Sequence, residues 1–326
     1  MGDQMRAVVV SEPGGTDVLE VQELPRPEPG PGQLLIEVAA SGVNFIDVYK
    51  RQGVYPMSLP FVMGEECAGR IVAVGDGVEG FAVGDAIAAA STPGTHATHA
   101  VIAAAQAVPL TDGVPMDVAA AAMLQGMTAH YLVNSTYSLK AGETVLLHAA
   151  AGGVGQLLIQ FAKGKGAQVI GTVGSAAKVD IARERGADEV IRYDEVDDLA
   201  AAVRELAPDG VDVVYDSVGK TTFDASLASL RRRGMLVLVG GSSGQVPPFD
   251  IQRLNRGGSL FLTRPTLAHY TADRDELLWR TSELFDAIRS GQLTVSIGGR
   301  YSLDEAAQAY DALEARRTTG KLLIVP

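Results

Sequence analysis

Thiol chemistry is almost absent from this chain of 326 residues, which contains a single cysteine, Cys67. One cysteine excludes an intramolecular disulfide, so the fold depends on a hydrophobic core rather than on covalent cross-links. It also excludes a metal site with four thiolate ligands. The surrounding residues, Glu66-Cys67-Ala68-Gly69, predict a small buried side chain rather than a reactive thiol.

Long apolar runs and excess positive charge are also missing. No stretch approaches the roughly 18 apolar residues that a membrane-spanning helix needs, and Met1–Arg6 lacks the pattern of a secretory signal. Asp and Glu total 39 against 27 Lys and Arg, and the net charge of −12 repels nucleic acids and anionic membranes. We therefore expect a cytoplasmic enzyme that acts on a small molecule, with no nucleic-acid or membrane partner.

The apolar pattern predicts two kinds of architecture, and the length itself suggests two domains. Residues 5–110 contain short apolar runs separated by Gly, Pro and Asp, which is typical of β structure with tight turns. From residue 140 onward, strands alternate with helical segments, which indicates a parallel sheet with helical crossovers. The tail beyond Pro265 leaves this alternation, and the pattern does not decide whether it rejoins the first region.

Individual elements follow from these runs. The predicted strands are Ala7–Val10, Gln33–Val38, Ala68–Val74, Ala86–Ala89, Thr144–His148, Gln168–Val173, Val190–Arg192, Val211–Asp216, Met235–Val239 and Ser259–Thr263. Leu322–Val325 is a terminal apolar run. The predicted helices are Met116–Leu132, Val154–Ala162, Ala176–Arg185, Val196–Glu205, Thr222–Leu230, Arg274–Ser290 and Leu303–Glu314.

A glycine-rich turn, Ala150-Ala151-Gly152-Gly153-Val154-Gly155, lies between a predicted strand and a predicted helix. Gly152 permits close approach of the backbone to a pyrophosphate, and Gly155 lets the helix pack tightly on its strand. The N-terminus of the helix offers N–H groups and a favourable dipole to an anion. A glycine triplet alone is equally compatible with a plain tight turn, but the strand before it and the helix after it favour dinucleotide binding.

The second strand of this region predicts which cofactor is bound. Sites for NAD usually carry an Asp or Glu about 20 residues beyond the glycines, where it bonds the ribose hydroxyl. This chain has Gly174-Ser175-Ala176-Ala177-Lys178 there, and a hydroxyl with an ammonium group suits the 2′-phosphate of NADPH. The alternative is that Ser175 caps the next helix and that Lys178 is a solvated surface residue.

Three motifs resemble those of the quinone oxidoreductases, which form with zeta-crystallin a zinc-free branch of the medium-chain dehydrogenase/reductases. The motifs are Gly42–Tyr49, with the sequence Gly-Val-Asn-Phe-Ile-Asp-Val-Tyr, the turn His148–Gly155, and Tyr215–Gly219, with the sequence Tyr-Asp-Ser-Val-Gly. The resemblance continues to Thr263-Arg264-Pro265 and Gly320-Lys321, so it covers nearly the whole chain.

This resemblance implies an α/β fold in which a doubly wound, parallel Rossmann sheet is inserted into a GroES-like, mainly β catalytic domain. The catalytic domain would comprise residues 1–124 and 266–326, and the NADPH-binding domain residues 125–265. Members of the family tend to dimerise by joining sheet edges, which implies a homodimer through Ser259–Thr263.

The resemblance also implies the site residues. Asn44 would lie near the nicotinamide, and Tyr49 and Tyr55 would line the substrate site, so these three are the predicted catalytic residues. Ser175, Lys178 and Tyr193 would form the pocket for the 2′-phosphate, with Ser217 nearby. The complete set expected to bind the cofactor is Asn44, Thr128, Ala151, Gly152, Gly153, Val154, Gly155, Gly174, Ser175, Lys178, Tyr193, Ser217, Gly240 and Ser242.

No metal is expected in this chain. Zinc enzymes of the wider superfamily use a Gly-His-Glu motif with two cysteines, whereas this chain has Gly64-Glu65-Glu66 and one cysteine. His96 and His99 are three residues apart, but no third ligand of a zinc type lies near them in the sequence. Without a Lewis acid, reduction of a conjugated acceptor is favoured, because the charge left by hydride addition spreads to an oxygen that needs only hydrogen bonds.

Several of these residues also have purely structural interpretations. Tyr49 and Tyr55 are equally compatible with packing, although either could donate a hydrogen bond or a proton to a substrate oxygen. Asn44 and Asp47 could instead satisfy loop backbone groups.

Two further polar features are interpreted as structural. Arg231-Arg232-Arg233-Gly234 is expected to follow a helix, with the cations complementing the helix C-terminus and Gly234 acting as the stop. Asp216 is expected to bond a loop at the end of its strand rather than to act as an acid.

The leading hypothesis is an NADPH-dependent quinone reductase that transfers hydride, or electrons, without a metal. An NADPH-dependent reductase of alkenals, enones or enoyl thioesters is the nearest alternative. A crystallin-like or RNA-binding protein without catalysis is the alternative of another class, which the acidic charge opposes. The sequence does not name the acceptor or the proton donor.

Overall fold

The computed structural model describes residues 4–326, and within this range the chain forms two compact units. The first combines the described residues up to Met127 with Thr271–Pro326, and the second is the continuous segment Thr128–Tyr270. The segment Met1–Arg6, which is expected to lack a secretory signal, begins with three residues, Met1–Asp3, that lie outside the described range. None of the described helices has both the length and the apolar character needed to cross a bilayer.

Strands dominate the first unit, and strands and helices alternate in the second. The strands are β1 (Gln4–Val10), β2 (Leu19–Pro25), β3 (Gln33–Gly42), β4 (Phe61–Val62), β5 (Glu66–Val74), β6 (Ala86–Ala90), β7 (His99–Ala103), β8 (Val108–Pro109), β9 (Thr144–Leu147), β10 (Gln168–Val173), β11 (Glu189–Arg192), β12 (Val211–Asp216), β13 (Leu230–Leu238), β14 (Phe261–Thr263), β15 (Ile297–Tyr301) and β16 (Lys321–Ile324). The helices are α1 (Phe45–Arg51), α2 (Met116–Tyr131), α3 (Gly153–Gly164), α4 (Ala177–Glu184), α5 (Leu199–Leu206), α6 (Phe223–Ser229), α7 (Gln252–Arg256), α8 (Leu267–Tyr270), α9 (Arg274–Arg289) and α10 (Ala306–Glu314).

The first unit contains a three-stranded and a seven-stranded sheet. The small sheet has the order β2-β1-β4, and the large sheet has the order β15-β16-β3-β5-β6-β8, with β7 also paired to β3. Alternating apolar residues of the central strands meet in a buried cluster, which includes Leu34, Ile36, Ile71, Ile87 and Ile102. Cys67 lies in this cluster, and burial raises the pKa of its thiol, so it is a buried apolar side chain as predicted.

The C-terminal tail rejoins the first unit. Strand β16 pairs antiparallel with β3, with Leu323 opposite Gly42 and Ile324 opposite Ser41. Tyr310 of α10 and Leu322 of β16 are buried with residues of β1 and α1 in a second apolar cluster. The apolar pattern did not decide whether the tail beyond Pro265 rejoins the first region, and the pairing of β16 with β3 shows that it does.

The second unit is built on six parallel strands in the order β11-β10-β9-β12-β13-β14. This is the strand order of a doubly wound, dinucleotide-binding fold, in which the order reverses between the first strand and the fourth. Here the reversal falls between β9 and β12. The predicted parallel α/β sheet is confirmed, and its strands agree with the predicted ones within a few residues.

The three arginines follow a helix, as predicted, but they do not cap it and Gly234 is not its stop, so that part of the prediction was wrong. Helix α6 ends at Ser229, and Arg231-Arg232-Arg233-Gly234 lies inside β13, at an irregularity in its pairing with β12. The left-handed residue there is Arg233, with φ of 61°, rather than Gly234. Arg231 forms an ion pair with Asp212 of the neighbouring strand, which gives the charge a partner within the sheet.

Helices α2 and α9 pack closely within the first unit. A Cβ atom on Gly126 would lie 2.6 and 2.7 Å from the two terminal methyl carbons of Leu284, which is fully buried. Any side chain larger than that of glycine would therefore overlap Leu284.

We expect Gly126→Ala to lower the free energy of unfolding by about 1–3 kcal/mol because it overpacks this contact. In a Leu284→Ala background the space is empty, and the same change should raise the free energy of unfolding by up to about 1 kcal/mol, because alanine has a higher helix propensity than glycine. Urea unfolding of the two single variants and the double variant measures both effects. Equal effects of Gly126→Ala in the two backgrounds would contradict the packing argument.

Candidate functional site

The glycine-rich turn lies between β9 and α3, at the carboxyl end of the parallel sheet. Gly152 is the N-cap of α3, and its own N–H donates to the carbonyl of Ala149 at 2.9 Å. A Cβ atom on Gly155 would overlap the carbonyl oxygens of Ala149 and Ala150, so only glycine fits there. Gly153, Val154 and Gly155 form the first helical turn, where N–H groups have no acceptor within the helix.

A second group of predicted residues lies where β10 ends. Gly174 follows that strand directly, and a Cβ atom on it would overlap the hydroxyl of Tyr193, so the tyrosine ring packs on the glycine backbone. The backbone N–H of Tyr193 bonds the carbonyl of Val173 at 3.1 Å, which brings the end of β11 beside the end of β10. Ser175 and Lys178 are half-buried, and Lys178 lies in the first turn of α4. Ala176, rather than Ser175, is the N-cap of that helix.

A third group lies where β12 and β13 end. The N–H of Ser242 donates to the carbonyl of Ser217 at 3.3 Å, and a Cβ atom on Gly240 would lie 2.6 Å from the same carbonyl oxygen. Asp216 accepts hydrogen bonds from the N–H groups of Val218 and Gly219 at 2.8 and 2.9 Å. Asp216 is therefore a loop-bonding carboxylate, as its position at the end of the strand predicted.

A buried polar network supports this edge of the sheet. Asp216 accepts a hydrogen bond from Ser226, which contacts His148 Nε2 at 2.9 Å, and His148 Nδ1 contacts Thr172 at 2.9 Å. Burial lowers the pKa of His148, although the charge of Asp216 opposes that shift. A neutral imidazole donates through one nitrogen and accepts through the other, so it can link β9 to both β10 and α6.

The three groups fit a dinucleotide. The carboxyl ends of parallel strands at the reversal of strand order are where such folds bind nucleotides, and β9, β10, β12 and β13 all end here. The turn has no room for side chains at Gly155, and an anion near α3 meets N–H groups and the positive end of the helix dipole. The predicted residues gathered at this edge are Ala151, Gly152, Gly153, Val154, Gly155, Gly174, Ser175, Lys178, Tyr193, Ser217, Gly240 and Ser242. Thr128 lies in the last turn of α2 and is half-buried.

Asn44 belongs to the first unit and lies in a buried ionic cluster. Its side-chain Nδ2 donates to Glu66 Oε1 at 2.7 Å and to the carbonyl of Gly42 at 3.1 Å, while its Oδ1 accepts from Lys321 Nζ at 2.6 Å. Lys321 also forms an ion pair with Glu66, and both side chains are almost completely buried. Glu66 Oε2 accepts a further bond from the N–H of Leu124 at 2.7 Å. Both amide hydrogens of Asn44 and its side-chain oxygen are thus bonded inside the protein.

A second buried chain of hydrogen bonds begins three residues further on. Asp47 Oδ2 accepts from Tyr310 at 2.9 Å, the Tyr310 hydroxyl contacts His96 Nε2 at 2.8 Å, and His96 Nδ1 contacts Ser41 at 2.7 Å. The N–H of Asn44 donates to Asp47 Oδ2 at 2.8 Å, so Asp47 also holds the start of α1. Asn44 and Asp47 therefore both bond backbone groups of this loop, as the structural interpretation expects.

Burial changes the pKa of Asp47 and of His96, two members of this hydrogen-bonded series. Burial, reinforced by the nearby charge of Glu65, raises the pKa of Asp47 from 3.8 to about 7. Burial, together with the charge of Lys321, lowers the pKa of His96 to about 3, so its imidazole is neutral. A neutral His96 that is bonded at both nitrogens has a structural role in this cluster.

The two predicted catalytic tyrosines lie beside one another in the first unit. The rings of Tyr49 and Tyr55 meet edge to face with centroids 5.7 Å apart, and the N–H of Tyr55 bonds the carbonyl of Tyr49 at 3.2 Å. Tyr55 is 40% exposed, whereas Tyr49 is half-buried. Their contact agrees with the packing interpretation and leaves Tyr55 accessible to a ligand.

The described residues contain no cluster of three or more His, Cys, Asp or Glu side chains that is suited to a metal ion. Glu65, which stands where zinc enzymes have a histidine, forms an ion pair with Lys50. His99 lies in β7 and its Nδ1 contacts the Thr98 hydroxyl at 3.2 Å.

The sequence analysis missed two polar residues that support the candidate site. Gln156 is almost completely buried and donates to the carbonyl of Ala151 in the glycine-rich turn at 2.8 Å. Lys321 holds Asn44, although it is distant in the sequence. A signal for Gln156 existed, because it is a polar residue beside the apolar stripe that α3 turns towards the sheet. No local signal pointed to the contact of Lys321 with Asn44.

Comparisons with known proteins agree with both units. Residues 30–139 match the family described as alcohol dehydrogenase GroES-like domain, and residues 153–271 match the family described as zinc-binding dehydrogenase. A quinone oxidoreductase of Pseudomonas aeruginosa is 45% identical over 96% of this chain and 97% of its own length. A 2-haloacrylate reductase of a Burkholderia species is 39% identical over 98% of both chains. A mycobacterial protein solved in complex with NADPH superimposes with a TM-score of 0.96 at 50% identity, covering 99% of this chain and 100% of that chain.

The raised pKa of Asp47 predicts a pH dependence of stability. Because the pKa rises from 3.8 to about 7 on folding, the folded state binds the proton more tightly, and stability from this group is complete at low pH and is lost as the pH rises towards 7. Asp47→Asn should therefore give a flatter decline of the unfolding free energy across this range, measured by urea unfolding at several pH values. The control is Asp76→Asn in an exposed turn, and an unchanged slope for Asp47→Asn would contradict the assignment.

Proposed function

The chain is an enzyme of the quinone oxidoreductase family of the medium-chain dehydrogenase/reductases, and we propose that it transfers hydride from NADPH to a quinone without a metal. The observation that carries the proposal is the glycine-rich turn at the carboxyl end of a doubly wound sheet, with Ser175 and Lys178 at the end of the next strand. The mycobacterial relative solved with NADPH and the relatives named quinone oxidoreductase support it. We further propose that Thr128–Tyr270 is the NADPH-binding domain and that the first unit is the catalytic domain.

In the proposed reaction, this chain binds and orients two reactants, while bound NADPH supplies the hydride. The first turn of α3 binds the pyrophosphate through N–H groups and the helix dipole. The 2′-phosphate accepts hydrogen bonds from Ser175, Lys178 and the hydroxyl of Tyr193. Gly174 leaves room for Tyr193, because a Cβ atom there would overlap the tyrosine hydroxyl. The nicotinamide half of NADPH is lined by Ser217, Gly240, Ser242 and Thr128.

The acceptor is proposed to contact residues of the first unit. Hydride addition to one carbonyl oxygen of a quinone gives the hydroquinone anion, whose ring is aromatic and whose second oxygen carries the negative charge. One proton on that oxygen then completes the hydroquinone. We propose that the accessible Tyr55 hydroxyl donates a hydrogen bond to that oxygen and that Tyr49 holds the Tyr55 ring by its edge-to-face contact. Asn44 is proposed to contact the cofactor, with its side chain held in place by Glu66 and Lys321.

Reduction of an activated carbon–carbon double bond is the second candidate. It is favoured by the 2-haloacrylate reductase of Burkholderia, which is 39% identical to this chain over nearly its whole length. Both reactions add hydride to a conjugated acceptor, and both need a hydrogen-bond donor at the oxygen that gains charge. The two candidates differ in the acceptor, so a substrate panel separates them.

The proposed function is tested by following NADPH absorbance with benzoquinone, naphthoquinones, alkenals and 2-haloacrylates as acceptors. Quinones should give the highest kcat/KM, and activity should survive extensive chelation with EDTA. Faster turnover of haloacrylates or alkenals would favour the second candidate. Failure to bind NADPH tighter than about millimolar in a fluorescence titration would exclude both.

Choice of NADPH over NADH is predicted to depend on Lys178. Lys178→Ala should weaken NADPH binding by about 10-fold or more through loss of a charge-assisted bond to the 2′-phosphate, and it should leave NADH binding nearly unchanged. Fluorescence titration of both nucleotides measures the difference. Lys140→Ala, at an exposed position of the same unit, is the matched control. Equal losses for the two nucleotides would show that Lys178 does not recognise the phosphate.

We propose that the enzyme is a cytoplasmic homodimer joined at the edge of the parallel sheet. Strand β14 is the last strand in the sheet order, and its first residue, Phe261, is 55% exposed. An edge strand with unpaired backbone groups and an exposed aromatic side chain favours pairing with a second copy.

Phe261→Lys should convert the proposed dimer to monomer, because it places a charge on each side of a symmetric contact. Light scattering coupled to size-exclusion chromatography measures the mass. Val83→Lys, which alters an exposed apolar residue of the first unit, serves as the control and should remain dimeric. A monomeric parent chain, or a dimeric Phe261→Lys variant, would rule out this interface.

A further inference from the structure

Three carbonyl oxygens of the glycine-rich turn are each held by a donor from the protein. The Ala149 oxygen accepts from the N–H of Gly152 at 2.9 Å, and the Gly152 oxygen accepts from the N–H of Gln156 at 2.9 Å. The Ala151 oxygen differs, because its donor is a side chain, Nε2 of Gln156, at 2.8 Å. The Ala151–Gly152 peptide group is therefore held at its N–H by the Ala149 carbonyl and at its oxygen by one buried glutamine.

The Gln156 side chain is itself oriented from a neighbouring helix. Arg185 Nε donates to Gln156 Oε1 at 3.1 Å, so the amide oxygen faces the guanidinium and the amide nitrogen faces the turn. Arg185 is the C-cap of α4, the helix that begins beside Ser175 and Lys178. A positive charge at the amide oxygen polarises the amide and strengthens the bond that its nitrogen donates.

We propose that Gln156 and Arg185 are positioning residues for the pyrophosphate of NADPH. The inference rests on the proposed function and extends it to residues behind the turn. An anion is repelled by carbonyl oxygens and attracted by N–H groups, so the site requires that the Ala151 carbonyl stay turned away from the ligand. Gln156 holds that carbonyl, and Arg185 fixes which end of the Gln156 amide meets it.

The experiment compares two ligands that use different parts of the site. NADPH carries the pyrophosphate, whereas adenosine 2′-monophosphate carries only the 2′-phosphate that Ser175, Lys178 and Tyr193 are proposed to bind. Gln156→Leu should weaken NADPH binding by about 10-fold and leave adenosine 2′-monophosphate within about twofold, measured by isothermal titration of each ligand. In steady-state assays KM for NADPH should rise while kcat changes by less than about twofold, because the effect is on ground-state binding.

Two other variants make the comparison specific. Gln160→Leu is the matched control, since Gln160 Nε2 donates at 3.0 Å to the Gln156 carbonyl inside the same helix rather than to the turn. It should leave the affinity for both ligands unchanged. Arg185→Met lies at a half-buried helix end and should weaken NADPH binding by about threefold. Arg185→Lys should recover part of that loss, because it keeps the positive charge.

Each outcome decides a different point. Equal weakening of both ligands in Gln156→Leu, or no weakening of either, would overturn the positioning role. If Gln156→Leu does not fold, Arg185→Met gives the same test, and wild-type affinity for NADPH in that variant would overturn the role of Arg185. Failure of the unmodified protein to bind both ligands would instead refute the proposed function.

Discussion

A buried ion pair between Lys321 and Glu66 holds together parts of the first unit that lie far apart in the sequence. Two charges withdrawn from water are costly unless each is paired and hydrogen-bonded, so every donor around them is needed. Asn44 bonds both members of the pair, and the N–H of Leu124 bonds the second oxygen of Glu66. The end of β3, the starts of β5 and β16 and the middle of α2 are therefore fixed by one cluster. Loss of either charged partner would leave the other charge buried and unpaired.

The second unit also has buried polar groups near its candidate site, and there they are held by hydrogen bonds rather than by an ion pair. At the carboxyl edge of its sheet, Asp216 and Gln156 bond backbone groups, and His148 bonds the side chains of Thr172 and Ser226. The carbonyl oxygens of Ala149, Ala151 and Gly152 accept hydrogen bonds within the protein, while the first N–H groups of α3 have no acceptor within the helix. Internal satisfaction of acceptors is what makes an overall acidic chain, with a net charge of −12, locally suitable for a phosphate.

Local patterns predicted the parallel sheet well, because buried parallel strands are continuous apolar runs that alternate with amphipathic helices. The edge strand β2 was missed, since its residues alternate with Glu and Gln and are mostly accessible. The irregular start of β13 was taken for a helix end, because arginines followed by glycine are typical of helix C-termini and the ion pair with Asp212 is not visible in the sequence. In the candidate site, the turn, Ser175 and Lys178 were predicted from local spacing and chemistry, and residues such as Asn44 and Thr128 came from resemblance. The bond between Lys321 and Asn44 joins residues 277 positions apart, and local patterns carry no information at that distance.

The return of β16 to β3 has a consequence for synthesis on the ribosome. Thr128–Tyr270 is continuous and holds all six strands of its sheet, so it can fold once it has left the ribosomal exit tunnel. The other unit emerges first but lacks the strand that pairs with Gly42 and the lysine that neutralises Glu66 until residues 321–324 are made. The half that is synthesised first is thus completed last, and until then the end of β3 has no partner at Ser41 and Gly42 from β16.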